Sequence, residues 1–197
     1  MTASRTDAVR SPRQVEALSS AVRQEIVDAL VSAGPSSIAE LGELLGRAPD
    51  SLYYHVRRLV KVRLLESCGS ESTGGRSTQL YRCTMDQPRI RPEGPAQKSA
   101  RSLGRVIQSF LRLTERNVKQ ALARPWKSAK DRGEHMFGGR LTGWLTRSEV
   151  RELQKQCDLI QRRLRQSRRR RSRGNLYAVT LVVCPLKPNS RSKKSED

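Results

Sequence analysis

Apolar residues first recur at Val15, Leu18, Val22, Ile26, Ala29 and Leu30, spacings that put them on one side of a helix. Ser11-Pro12-Arg13-Gln14 opens it: serine caps, proline takes the first helical position, and glutamine can close a capping box. Gly34-Pro35 ends it, so one continuous helix is expected. A second box, Ser37-Ile-Ala-Glu40, leads into Leu41, Leu44 and Leu45 and stops at Gly46. After Arg47-Ala-Pro, a third helix is expected to start at Asp50 or Ser51 and to end by about Val62. Two short helices joined by a tight turn behind a longer supporting helix make a helix-turn-helix pattern.

The period then changes. Leu65–Cys68 and Ser77–Thr84 read as short extended runs around a Gly/Ser-rich loop, a hairpin placed as a wing. Residues 85–97 carry three prolines and read as a linker. A long amphipathic helix is expected over about 98–123, with Leu103, Val106, Ile107, Phe110, Leu111, Val118 and Leu122, ended by Pro125. Polar loop is expected over 126–136 and a weak strand over Gly138–Leu145. The box Thr146-Arg-Ser-Glu149 starts another helix, where Val150, Leu153, Cys157, Ile160 and Leu164 alternate spacings of three and four, the seam of a helix that packs on a helix. Leu176–Cys184, bounded by Gly174 and Pro185, is the strongest strand pattern in the chain.

On a wheel of residues 50–61, Leu52, Val56, Leu59 and Val60 cluster on one side. Ser51, Tyr54, Arg57, Arg58 and Lys61 lie opposite, with Tyr53 and His55 at the border. No carboxylate occurs from Ser51 to Leu65, so this is not the mixed-sign face of an ordinary solvated helix. Cations suit phosphates and guanine edges; hydroxyls suit phosphate or adenine. The border positions of Tyr53 and His55 suit packing or phosphate contact better than base reading. Arg76, in the wing loop with Ser77 and Thr78, can hold a phosphate or enter a minor groove.

Charge strengthens this picture. The 197 residues carry a formal net charge of +20 with 36% apolar residues, which makes nucleic acid the default partner. Eight arginines between 162 and 173 form a run that could clamp phosphates without regard to sequence. That leaves a second reading open, a non-specific nucleic-acid-binding protein (DNA packaging or RNA-binding) driven by the run. Cys68, Cys83, Cys157 and Cys184 show no metal-ligand spacing, so no metal site is expected. No catalytic set and no nucleotide fingerprint occurs, so neither enzyme activity nor a cofactor is expected. There is no membrane-length apolar run and no apolar signal core at the N-terminus, which leads to an expected cytoplasmic, nucleoid-associated location. Trp126, His135, Phe137 and Trp144 read as packing residues before they read as an effector pocket; a small-molecule effector stays open and unsupported.

The stretch from Ala17 to Glu66 resembles the ArsR-like winged helix-turn-helix transcriptional regulators. Ala17-Leu18, Arg23, Ile26 and Leu30 match the family's opening helix, and Ser51, His55 and Leu59 match its recognition-helix motif. Trp144-Leu145-Thr146, Glu149 and Leu176–Pro185 are similar, more loosely, to the extension of a non-metal branch. Two departures stand out. Arg63-Leu64 replaces the family's glycine-leucine pair, so Arg63 must adopt a left-handed conformation or use another turn. The metal-sensing ligands are missing from the second helix.

The expected fold is α+β, mainly α: an N-terminal winged helix-turn-helix plus a C-terminal helix-strand-helix-strand dimerisation domain. The expected divisions are a flexible 1–10, a DNA-binding 11–84, a linker 85–97, a dimerisation and effector domain 98–184, and a disordered tail 185–197. The resemblance implies a homodimer, formed through the C-terminal helices, that binds double-stranded DNA and represses until a signal relieves it. The DNA-binding residues expected are Ser51, Tyr53, Tyr54, His55, Arg57, Arg58, Lys61 and Arg76.

Overall fold

The computed structural model describes residues 8–73, 76–85, 89–90, 93, 95–166 and 175–186. In chain order its elements are β1 (Ala8–Val9), α1 (Pro12–Ala17), α2 (Ala21–Ala33), α3 (Ile38–Leu45), α4 (Pro49–Lys61), β2 (Leu65–Thr73), β3 (Arg76–Cys83), β4 (Arg89–Ile90), α5 (Ala96–Leu122), α6 (Ala129–His135) and α7 (Arg147–Gln166). The architecture is mainly helical, with the layout of a winged helix-turn-helix at the N-terminus.

The expected first helix is two helices. Leu18-Ser19-Ser20 interrupts it, with Ser20 extended at the start of α2. Serines offer the backbone rival hydrogen bonds, and the Ser19 hydroxyl donates to the Val15 carbonyl. The apolar stripe survives the break because Val15, Leu18, Ile26, Ala29 and Leu30 all enter one core. Ser11 makes no side-chain cap. Gln14 closes no box either; it donates to the Val62 carbonyl at 3.0 Å and satisfies the end of α4. The box at Ser37 and Glu40 forms as expected.

Arg63 takes the left-handed conformation, with φ at 58°. Its amide donates to the Val60 carbonyl at 2.9 Å and the Leu64 amide to the Leu59 carbonyl at 3.0 Å, a Schellman ending with arginine in glycine's usual place. Because a Cβ strains that conformation, Arg63→Gly is expected to raise stability by about 0.5–1 kcal/mol. A urea midpoint that moved up at constant slope would show it; an unchanged or lower midpoint would mean that the exposed arginine side chain offsets the strain.

β2 and β3 form an antiparallel hairpin from Leu65 opposite Cys83 to Thr73 opposite Arg76. A bulge falls between Ser67 and Ser70, where Gly69 has a φ of 127°. Ser36 and Tyr81 exchange backbone hydrogen bonds of 3.0 and 2.9 Å, tying the wing to the α2–α3 link. The hairpin is longer than the expected runs because the polar Ser/Thr stretch continues the ladder beyond the apolar signal.

The expected linker and flexible N-terminus meet. Ala8–Val9 pairs in parallel with Arg89–Ile90, and Val9 is fully buried. Arg10 pairs with Glu93 at 2.7 Å. Nor does the core end at the expected division. Val106 of α5 is fully buried in the cluster formed by α1 to α4, and Gln24 donates to its carbonyl at 3.3 Å.

The far C-terminal half departs from expectation in three ways. Ala129–His135, expected as loop, is helical; Ser128 caps it by accepting from the Asp131 amide at 3.1 Å. The runs 138–145 and 176–184, expected as strands, carry no strand pairing. A strand needs a neighbouring edge, and the described residues of one chain place none beside either run. Phe137 and Trp144, expected as packing residues, are 92% and 89% exposed. The box at Thr146 and Glu149 does form and starts α7. The tail beyond residue 186 lies outside the described residues, as does most of the arginine run, of which 162–166 continue α7.

Candidate nucleic-acid interface

α4 begins slightly earlier than the sequence predicts, with Ala48 as N-cap and Pro49 at the first helical position. Asp50 in its first turn and Arg58 and Lys61 in its last complement the helix dipole. Leu52, Val56 and Leu59 are at most 1% exposed and seat the helix on α2 and α3. Burying each such side chain contributes about 1.5–3 kcal/mol, so the orientation of the opposite face is set by packing.

That opposite face holds Ser51, Tyr54, Arg57 and Lys61, all exposed. Tyr53 is also exposed, while His55 and Arg58 are half-buried at the flanks. The Ser51 hydroxyl donates to the Ala48 carbonyl at 2.7 Å, so its oxygen keeps its acceptor capacity toward solvent. The earlier start brings Asp50 fully into the helix. Asp50, Tyr54, Arg57 and Lys61 are four, three and four apart and form one outward stripe headed by a carboxylate.

His55 packs edge-on against Tyr54, ring centres 5.5 Å apart. Its Nδ1 is buried without a hydrogen-bond partner. Burial first, then the charges of Arg23 and Arg47, hold its imidazole below the usual range, so it is neutral at pH 7. Arg23, on α2, lies near Tyr54 and Arg58; its guanidinium donates to the Ala17 carbonyl. Its pKa is lowered mainly by burial, with Arg58 adding to the effect and Tyr54 and Glu16 opposing it, yet a guanidinium stays charged at any physiological pH. Arg23 thus extends the cationic surface of α4 onto a second helix. Sequence reading missed this, because only the fold brings the helix α2 flank beside α4.

The turn before α4 is held at two points. Gly42 lies under it: a Cβ there would come within 2.8 Å of the Arg47 carbonyl oxygen and 3.1 Å of the Pro49 ring. Beyond it, the Arg47 guanidinium reaches the buried Glu25 carboxylate of α2 at 2.9 Å, and Arg116 of α5 contacts the other oxygen of the same carboxylate. One carboxylate therefore joins the supporting helix, the turn and the long helix.

The structure brings Ser51, Tyr53, Tyr54, His55, Arg57, Arg58 and Lys61 together on α4. Arg76 stands apart, opening β3 opposite Thr73 at the far end of the hairpin, where residues 74–75 lie outside the described residues. The four residues of the conceivable effector pocket do not converge. Trp126 and His135 stack at 6.1 Å, and His135 and Tyr177 stack at 6.4 Å, with the tyrosine hydroxyl 2.6 Å from Nδ1. Phe137 and Trp144 are exposed to solvent. Among the described residues no helix is long and apolar enough to cross a membrane.

Comparison with known proteins agrees with the geometry at the N-terminus. A helix-turn-helix domain model matches residues 18–68, which span α2, α3, α4 and the start of the wing. No curated protein matches the chain. Among solved structures, the crystal structure of RV1404 from Mycobacterium tuberculosis is similar at 19% identity, over 62% of this chain and 78% of that one, with a TM-score of 0.28. The helix-turn-helix domain makes the chain a DNA-binding regulator in outline.

Proposed function

We propose that the chain is a sequence-specific transcriptional regulator of the ArsR-like, non-metal type, a repressor that binds its operator as a homodimer through the C-terminal helices. The observation that carries this reading is the two-sidedness of α4. One side is sealed into the core by Leu52, Val56 and Leu59; the other offers Ser51, Tyr54, Arg57 and Lys61 to solvent. A helix of that kind, at the end of a helix-turn-helix, suits the major groove. Arg57, exposed where Arg58 is half-buried, reads a base edge; Arg58, which lies near Arg23, and Lys61 hold phosphates. Tyr53 and His55 pack against the backbone at the groove's rim, and Arg76 reaches the duplex from the wing. Asp50 adds selectivity, since a carboxylate accepts from cytosine and repels phosphate. The dimer's role is to set two such helices one turn of DNA apart.

The test is fluorescence anisotropy at about 0.15 M salt, with the duplex upstream of the protein's own gene against a scrambled duplex. A preference of about a hundredfold or more supports sequence-specific regulation. Equal affinity for both, lost when residues 162–173 are neutralised, would replace it with a polyanion binder. Within the specific complex, Arg57→Ala is expected to cost about 1–2 kcal/mol on the preferred duplex and to flatten the preference, whereas Arg58→Ala weakens all duplexes alike. The reverse ranking in the same titration would exchange the two roles.

A further inference from the structure

α7 runs for 20 residues, about 30 Å, and makes no extensive contact with any other helix or strand. Yet Val150, Leu153 and Ile160 line one side of it with Cys157, and the three keep 43%, 38% and 41% of their surface exposed. In heptad terms Val150 and Cys157 are a positions and Leu153 and Ile160 are d positions. Three flanking positions are neutral, Gln154, Gln156 and Gln161. Three are charged: Arg147 and Glu149 at one end and Arg163 at the other.

Glu149 accepts from the Thr146 amide and hydroxyl, both at 2.7 Å and both through Oε2. Oε1 takes no bond among the described residues. Arg163 is exposed and faces no carboxylate among the described residues of its own chain.

We infer that α7 pairs antiparallel with α7 of a second copy, in a register set by these two charges. The inference rests on the homodimer proposed above and names the contact that forms it. In an antiparallel pair a positions meet d positions across the seam, and like flanking positions meet each other. Setting Val150 opposite the second copy's residue 160 places Leu153 opposite residue 157. The same register brings Glu149 opposite residue 163, twice per dimer by symmetry. Sliding by one heptad in either direction loses both ion pairs. Parallel pairing would leave Glu149 against glutamine. It would also bring the arginine-rich ends of the two helices to the same end of the assembly, where like charges repel. The antiparallel pair instead sends the two arginine-rich ends to opposite sides of the assembly. A second copy of this chain carries both the matching seam and the matching charge at the matching spacing.

The experiment uses full-length chain with its four cysteines changed to alanine. Val150→Cys and Ile160→Cys are made separately in that background. Each protein is oxidised alone and in an equal mixture, with sedimentation run alongside. The expected result is a covalent dimer from the mixture and almost none from either protein alone, because each new thiol sits about 15 Å along the axis from its own copy. Covalent dimer from each protein alone means parallel helices and overturns the pairing. A sedimenting dimer with no cross-link in any tube also overturns the pairing but leaves the homodimer standing. A monomer at all concentrations overturns both.

If the cysteine-free background does not fold, charge exchange in the natural sequence tests the same register. Glu149→Arg and Arg163→Glu should each weaken dimerisation about tenfold, by two lost ion pairs and new repulsion. The double variant should recover it. Loss of the α7 cap alone would not be rescued by the change at residue 163, so no recovery overturns the pairing.

Discussion

Glu25→Ala should destabilise the protein by about 3 kcal/mol. The carboxylate is the only negative partner that the structure gives to Arg47 and Arg116 among the described residues, and its side chain is only 9% exposed. Removing it leaves two guanidiniums facing each other across a small gap with nothing between them. Both keep water, at 28% and 39% exposure, which holds the cost to the lower end of the range for a broken buried pair. The unfolding midpoint should fall by roughly 6–12 °C for a chain of this size. Glu25→Gln keeps one acceptor and should lose about half as much. Duplex affinity should fall with stability, since Arg47 belongs to the turn that aims α4. A loss under about 1 kcal/mol in urea unfolding would mean that the three elements are held by apolar packing alone.

Gly42→Ala should cost about 3 kcal/mol and should also weaken DNA binding in whatever protein stays folded. The new methyl would meet the Arg47 carbonyl oxygen at 2.8 Å. That atom is backbone, on a residue whose amide already donates to the Gly42 carbonyl at 2.9 Å, so it cannot swing away as the end of a flexible side chain would. Relief requires the turn to lift, and α4 lifts with it, which puts the change at the upper end of overpacking costs. A control at Gly104, where a Cβ meets nothing within 4 Å, should be neutral or stabilising because alanine is the better helix former. Circular dichroism melts and anisotropy on the same variants would check both. Unchanged stability and affinity in the Gly42→Ala protein would show that the turn has slack.

The winged helix was legible because each of its signals is local. Capping boxes, the glycine stops and the three-four spacing of Leu52, Val56 and Leu59 need only neighbouring residues to act. The hidden face of α4 followed from the same spacing, and so did its cationic exposed face. The break at Ser19-Ser20 went unread because the apolar stripe runs through it unchanged. Helix α6 went unread because it has no apolar period at all; Ser128 caps it and the Trp126–His135–Tyr177 stack covers it.

Other features are not local in the chain. Glu25 reads as an exposed helical acid until Arg47, 22 residues on, and Arg116 arrive on either side of it. Arg23 joins the α4 surface only through the α2–α4 crossing. The strand patterns at 138–145 and 176–184 were real patterns of β-forming residues, yet pairing requires a second edge that the described residues of one chain do not supply. What the sequence by itself determined is therefore the helix-turn-helix, its wing and the sign of the face that it presents, since propensity, capping and periodicity act within a few residues. The tertiary structure alone decided the clamp on Glu25, the role of Gly42 and the merging of α5 into the N-terminal core. Those depend on which distant groups come within a few ångströms, and close packing, not composition, sets that distance.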